Sequence, residues 1–201
     1  MTLPVFDGHN DVLLRIHQSE GERSFFEELD YGHLDLPRAR RGGFAGGLFA
    51  IFVPGPGTEP PGAPPEGAYE YPLAAPVAPE EARQTAEQVA SILFRLEEEA
   101  DGQVRAVRTG AELEECIASG VVAAVLHFEG AEPIGSLDEL ESWYERGLRS
   151  LGLVWSRPNG YAHGVPFRFP ASPDTGPGLT AAGRELVRVC NRLGVLVDLS
   201  H

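Results

Sequence analysis

Val121-Val122-Ala123-Ala124-Val125-Leu126-His127-Phe128-Glu129-Gly130 opens with six apolar residues in a row, the clearest buried strand in the chain. An unbroken apolar run, rather than an alternating one, is what a strand covered on both faces requires. Such strands belong to parallel sheets with helices on their faces. The run ends near Glu129, so a carboxylate arrives at the C-terminal end of the strand.

Working outward, the same rhythm repeats. Upstream, Thr109-Gly110-Ala111-Glu112 has the spacing of a capping box, opening a helix with Leu113, Cys116 and Ile117 that stops near Gly120. Before it lie a short strand at Val104 to Val107 and a helix over Glu80 to Ala100, where Ala82, Ala86, Val89, Ala90, Leu93 and Phe94 recur at helical spacing. Phe44 to Val53 is another apolar strand, preceded by a short helix framed by Asp35-Leu36-Pro37 and Gly42-Gly43. Downstream, Ser136-Leu137-Asp138-Glu139 is a second capping-box spacing, and its helix ends near Gly147. Ser150 to Trp155 reads as a strand, a loop reaches Gly178, a helix from Leu179-Thr180 stops at Gly194, and Val195 to Leu199 is the last strand. Strand and helix alternate throughout, which predicts an α/β fold with a parallel sheet.

Residues 54 to 79 break the rhythm, with nine of the 17 prolines and four glycines. That composition satisfies neither helix nor ladder hydrogen bonding and predicts a surface insertion. The apolar runs on its two sides continue one pattern, so the insertion is expected within a single domain spanning residues 1–201.

Composition bounds the partners. The 201 residues are 42% hydrophobic and 23% charged, ordinary for a globular protein. A formal charge of −14, from 16 Lys+Arg against 30 Asp+Glu, leaves no basic face for nucleic acid or an anionic membrane. No run of about 18 apolar residues is present and the N-terminus lacks a basic-then-apolar leader, so a cytoplasmic location is expected. Cys116 and Cys190 are far apart and sit in helical patterns, which predicts buried free thiols rather than a disulfide. His17 and His33 are expected to face solvent.

Chemistry concentrates at the strand ends, where parallel α/β architectures place their sites. The first strand, Leu3-Pro4-Val5-Phe6, leads into Asp7-Gly8-His9-Asn10-Asp11. His9 and Asp11 are two apart and project from one side, with Gly8 allowing a turn or close approach between them. With Glu129 and His201 they make two imidazoles and two carboxylates at three strand ends, a ligand inventory suited to one or two hydrolytic metal ions. Each has a plainer role available: Asp11 as a helix cap, Glu129 as a turn cap, His201 as a residue of no significance. Chance gives no reason for all of them to fall at successive strand ends.

The same residues carry a resemblance. Val5-Phe6-Asp7-Gly8-His9-Asn10-Asp11, Phe44-Ala45-Gly46-Gly47, Phe128-Glu129-Gly130 and Asn191 through His201 resemble the membrane (renal) dipeptidase family of zinc dipeptidases, in the amidohydrolase-like barrel superfamily. The resemblance runs the length of the chain. It implies a (β/α)8 TIM-barrel fold, here incomplete, with about six strands where eight are needed and about 250 residues are typical. It implies two Zn²⁺ ions held by His9, Asp11, Glu129 and His201, with Glu129 bridging them as the catalytic carboxylate. The implied reaction is hydrolysis of small dipeptides by a metal-bridging hydroxide, with tolerance of a D-residue on the C-terminal side. Where the family commonly has Thr-His, this chain reads Val154-Trp155-Ser156. Trp155 is therefore expected either to line the substrate pocket, with Asn159 or His163 supplying polar contact, or to pack in the core under the loop that follows. The family's further zinc-binding histidine, substrate-binding arginine and late aspartate fall beyond residue 201, so this stretch by itself is expected to be inactive, with an open sheet edge that favours self-association, a homodimer included. Another metal-dependent amidohydrolase on the same barrel, or a non-catalytic metal-binding remnant, are the rival readings.

Overall fold

A computed structural model describes residues 3–19, 22–58, 62, 66–172 and 174–201. Among these residues six strands form one sheet: β1 (Val5–Asn10), β2 (Phe44–Ile51), β4 (Val104–Ala106), β5 (Val122–Glu129), β6 (Leu148–Gly152) and β8 (Leu196–Asp198). Two more, β3 (Tyr69–Glu70) and β7 (Arg168–Phe169), pair antiparallel as a separate ribbon. The helices are α1 (Val12–Gln18), α2 (Leu36–Gly42), α3 (Pro79–Glu99), α4 (Gly110–Ser119), α5 (Leu137–Arg146) and α6 (Ala181–Leu193).

Every pairing in the main sheet is parallel, in the order β1-β2-β5-β6-β8. β4 pairs with the first half of β5, Val104 opposite Val122, while β6 takes the second half, Leu148 opposite Leu126. All C-terminal strand ends therefore meet at one end of the sheet.

β5 shows how period-two alternation divides the interior. Val122, Ala124, Leu126 and Phe128 enter the main core with Val89, Leu93, Leu140, Trp143 and Leu186 from the helices. Ala123 faces the other way, into a small cluster with Val107 and Cys116. His127 and Glu129 continue that second face toward the C-terminal end.

β2 lies close against both neighbours because it carries Gly46-Gly47. A Cβ on Gly46 would sit 2.3 Å from Ala123 O, and one on Gly47 2.9 Å from Asp7 O. Gly8, expected to serve close approach, has nothing within 4 Å of an added Cβ and no left-handed φ. The crowding is one strand over from where the sequence placed it.

Other local expectations shift as well. The Thr109 capping box forms in full, with Thr109 Oγ1 accepting from the Glu112 amide and Glu112 accepting from the Thr109 amide. At α5 only half of the second box forms, because Glu139 Oε2 accepts from the Gly135 amide instead of that of Ser136. β6 begins and ends earlier than predicted: Gly147, at φ 121°, turns the chain out of α5 directly into Leu148, and Trp155 falls beyond the strand. In the Pro/Gly-rich stretch, residues 59–61 and 63–65 lie outside the described residues, and Tyr69–Glu70 is pinned to Arg168–Phe169. Cys116 and Cys190 are buried and free. His33 is exposed, whereas His17 is half-buried. No helix among the described residues is long and apolar enough to cross a membrane.

Candidate metal centre

β1 delivers His9, and Asp11 follows it at the N-cap position of α1. The Asp11 side chain makes no capping hydrogen bond; it turns back to His9, with Oδ1 3.4 Å from His9 Nε2. β5 delivers Glu129, whose Oε2 stands 3.5 Å from the same nitrogen. One donor atom from each of His9, Asp11 and Glu129 falls within 4.8 Å of the other two. The second Glu129 oxygen, Oε1, lies 3.3 Å from His201 Nε2. A single carboxylate thus addresses two imidazoles with its two oxygens, at separations longer than the 2.7–3.2 Å of well-formed hydrogen bonds.

Burial and charge are graded across the group. The Glu129 side chain is 13% exposed, while those of His9 and His201 keep about a third of their surface and that of Asp11 41%. The hydrogen bond to Asp11 raises the His9 pKa against the effect of burial, and Glu129, Asp11 and Asp198 add to the rise. The same bond holds Asp11 below the ordinary carboxylate range.

A cleft of about 690 Å³ reaches two of these residues, Asp11 and Glu129, and is lined also by Arg15, Phe52 and Trp155, with His9 and His201 outside its lining. Trp155 packs edge-on between Phe52 and Phe167, with ring centroids at 5.2 and 5.6 Å, and lies 6.2 Å from the His201 ring. Asn159 and His163 do not line this cleft. The Asn159 side chain is occupied in its own loop, donating to Leu153 O and accepting from the Tyr161 and Ala162 amides. His163 is exposed, its amide bonded to Gly178 O.

The family model for membrane dipeptidases (peptidase family M19) matches residues 1–201. The chain belongs to this family. Membrane dipeptidases are metallopeptidases, so a metal site is implied, and the His9, Asp11 and Glu129 donors are where the described residues could hold one. A metallo peptidase of Rhodobacter sphaeroides, solved with a phosphinate mimic of the dipeptide L-Ala-D-Ala, is 48% identical and superposes with a TM-score of 0.93, over 100% of this chain and 59% of its own. The parallel sheet is therefore an incomplete TIM barrel of the dipeptidase kind. An uncharacterized protein in the PQQ-III 3′ region of Acinetobacter calcoaceticus is 36% identical over 99% of this chain and 64% of its own length. Dipeptidase aclJ of Aspergillus oryzae is 30% identical over 99% and 45%. The chain thus spans less than two thirds of the length of these relatives.

Three polar residues at the same end were not singled out from the sequence: His127, Ser150 and Asp198. His127 is 1% exposed, its Nδ1 lies 2.9 Å from Ser150 Oγ, and its Nε2 lies 3.5 Å from Asp198 Oδ2. Its ring meets that of His9 edge-on at 5.6 Å. Burial drives the His127 pKa down to about 4 despite the pull of Asp198, so the ring is neutral near pH 7. A signal was present: His127-x-Glu129 repeats the His9-x-Asp11 spacing, and period two puts both its side chains on one face.

Proposed function

We propose that the full-length protein is a zinc-dependent dipeptidase that hydrolyses the peptide bond of small dipeptides, with two ions held across Glu129. The observation that carries this reading is the Glu129 carboxylate, aimed by one oxygen at the His9–Asp11 pair and by the other at His201.

The residues fit such ions. Neutral imidazole nitrogen and carboxylate oxygen are the donor types that zinc takes, and Asp11 has been left free of the capping role its position would otherwise give it. His9, Asp11 and Glu129 would hold one ion; Glu129 and His201 would hold the other, joined by residues beyond this stretch. Cations so held supply Lewis acidity to the scissile carbonyl and acidify the attacking water.

The chain's own groups do the rest. Glu129 presents one carboxylate oxygen toward His9 and the other toward His201, and Asp11, its pKa lowered by the bond to His9, would offset the charge of a bound cation. Trp155, braced by Phe52 and Phe167, walls the cleft and excludes water from the reacting bond. Asn159 holds the loop that follows Trp155, through Leu153 O and the Tyr161 and Ala162 amides. The substrate class follows the Rhodobacter sphaeroides relative, whose ligand mimics L-Ala-D-Ala.

The test is hydrolysis of L-Ala-D-Ala by the full-length protein before and after chelation. Loss of turnover on chelation, its return with zinc, and a fall of at least about 100-fold in kcat for Glu129→Gln are expected. Undiminished turnover by the metal-free protein would overturn the proposal.

A further inference from the structure

Two of the polar side chains at the C-terminal end of the sheet are buried where apolar ones would pack at less cost. Ser150 is 0% and His127 1% exposed. Burying such groups is unfavourable unless their hydrogen bonds are made. The register explains how they meet: His127 stands opposite Ser150, and Gly152, two residues on, stands opposite Asp198. Three adjacent strands thus bring Ser150, His127 and Asp198 into one row.

The row has a direction. Ser150 Oγ and His127 Nδ1 are 2.9 Å apart. When the hydroxyl donates to Nδ1, the ring hydrogen sits on Nε2. That atom is buried, has no hydrogen-bond partner among the described residues, and stands 3.5 Å from Asp198 Oδ2. The other Asp198 oxygen, Oδ1, accepts from the Ser200 amide at 2.8 Å. The residue after Ser200 is His201, whose Nε2 lies 3.3 Å from Glu129 Oε1.

We infer that His127 and Asp198 are positioning residues: a buried imidazole orients the Asp198 carboxylate, which holds the Ser200 turn and so sets His201 against Glu129. The inference rests on the two-ion reading and deepens it. Neither residue need touch substrate. Their effect falls most on the ion position that His201 serves; the position served by His9 and Asp11 meets His127 through the edge-on ring contact at 5.6 Å, which both substitutions below remove alike.

Two substitutions separate this role from simple packing. In His127→Gln the amide nitrogen reaches the place of Nε2 and keeps the contact to Asp198. In His127→Asn the shorter side chain reaches the place of Nδ1 and keeps only Ser150. Zinc is titrated into metal-free full-length protein, and the melting midpoint of each metal-free variant is recorded. Wild type should bind two ions, and His127→Gln should bind both with near wild-type affinity. His127→Asn should hold the first ion normally and the second about 10–100-fold more weakly. Asp198→Ala should show the same selective loss, and combining it with His127→Asn should weaken the second ion no further.

Equal weakening in the Gln and Asn variants, or none in either, would overturn the inference, as would a loss that tracks the metal-free melting midpoint. Fewer than two ions on the wild type would instead refute the two-ion reading, and the inference would fall with it.

Discussion

Among the described residues Arg157 is the largest fully buried side chain, and its ion pair is with Glu132, Nε to Oε1 at 3.1 Å. Its guanidinium lies 5.5 Å from the Phe52 ring that braces Trp155, so the pair stiffens the cleft wall from beneath. Removing one partner of such a pair strands the other. Glu132→Ala should lose about 3–5 kcal/mol of stability in denaturant titration of the full-length protein. Asp35 supplies a pH-dependent counterpart. Burial pushes its pKa up, but hydrogen bonds from the Arg38 amide and side chain and the Leu29 amide outweigh burial and leave it lowered. A lowered pKa means that its contribution is complete above the ordinary pKa of 3.8 and drains away as pH falls through the folded-state value. The stability gap between wild type and Asp35→Asn should therefore be widest near neutral pH and close below about pH 3.8, where a constant gap would refute the assignment. At this scale the His9, Asp11, Glu129 and His201 grouping could be read in advance, because each falls at a strand end in the sequence itself. Asn159 could not, because its three hydrogen bonds depend on a loop path that no periodicity encodes.

Among the elements, those with strong periodicity or explicit caps were legible to within a residue or two. α3 has its apolar stripe, and α4 has Thr109 and Glu112 at its start and Gly120 at its end, at φ 72°. β6 was displaced because Leu148 through Val154 is apolar enough to be a strand in several registers, and only pairing with β5 and β8 chooses among them. The β3–β7 ribbon was not legible at all: two-residue strands separated by nearly a hundred positions leave no pattern. The glycines of β2 give an element-scale prediction. Gly46→Ala puts a methyl group against the backbone of Ala123, at 2.3 Å before relaxation, and should cost about 1–3 kcal/mol or more by prying β2 from β5. Gly8→Ala, with open space around it, should change stability by no more than about 0.5 kcal/mol. Equal costs would mean that close strand approach is not the reason for Gly46.

For the whole molecule, alternation of apolar strands with helices was enough to give a parallel α/β sheet, and the strand ends gave the face of the site. What composition and spacing could not supply is closure. β1 and β8 are the outer strands, and Val5, Phe6, Leu196 and Leu199 on or beside them are 49%, 42%, 58% and 84% exposed. Expressed by itself, the 201-residue stretch should associate through these edges and leave L-Ala-D-Ala intact even with zinc present. Monomeric behaviour in light scattering, or turnover comparable to that of the full-length protein, would show that the remaining barrel is not needed. Anomalous diffraction from zinc-loaded crystals of the full-length protein would reveal whether Glu129 joins two cation positions at the C-terminal ends of β1, β5 and β8. Two peaks are expected, one at about 2.0–2.2 Å from donor atoms of His9, Asp11 and Glu129, the other at the same distance from the second Glu129 oxygen and His201. Zinc bound away from Glu129, or a single peak at full loading, would contradict the two-ion reading.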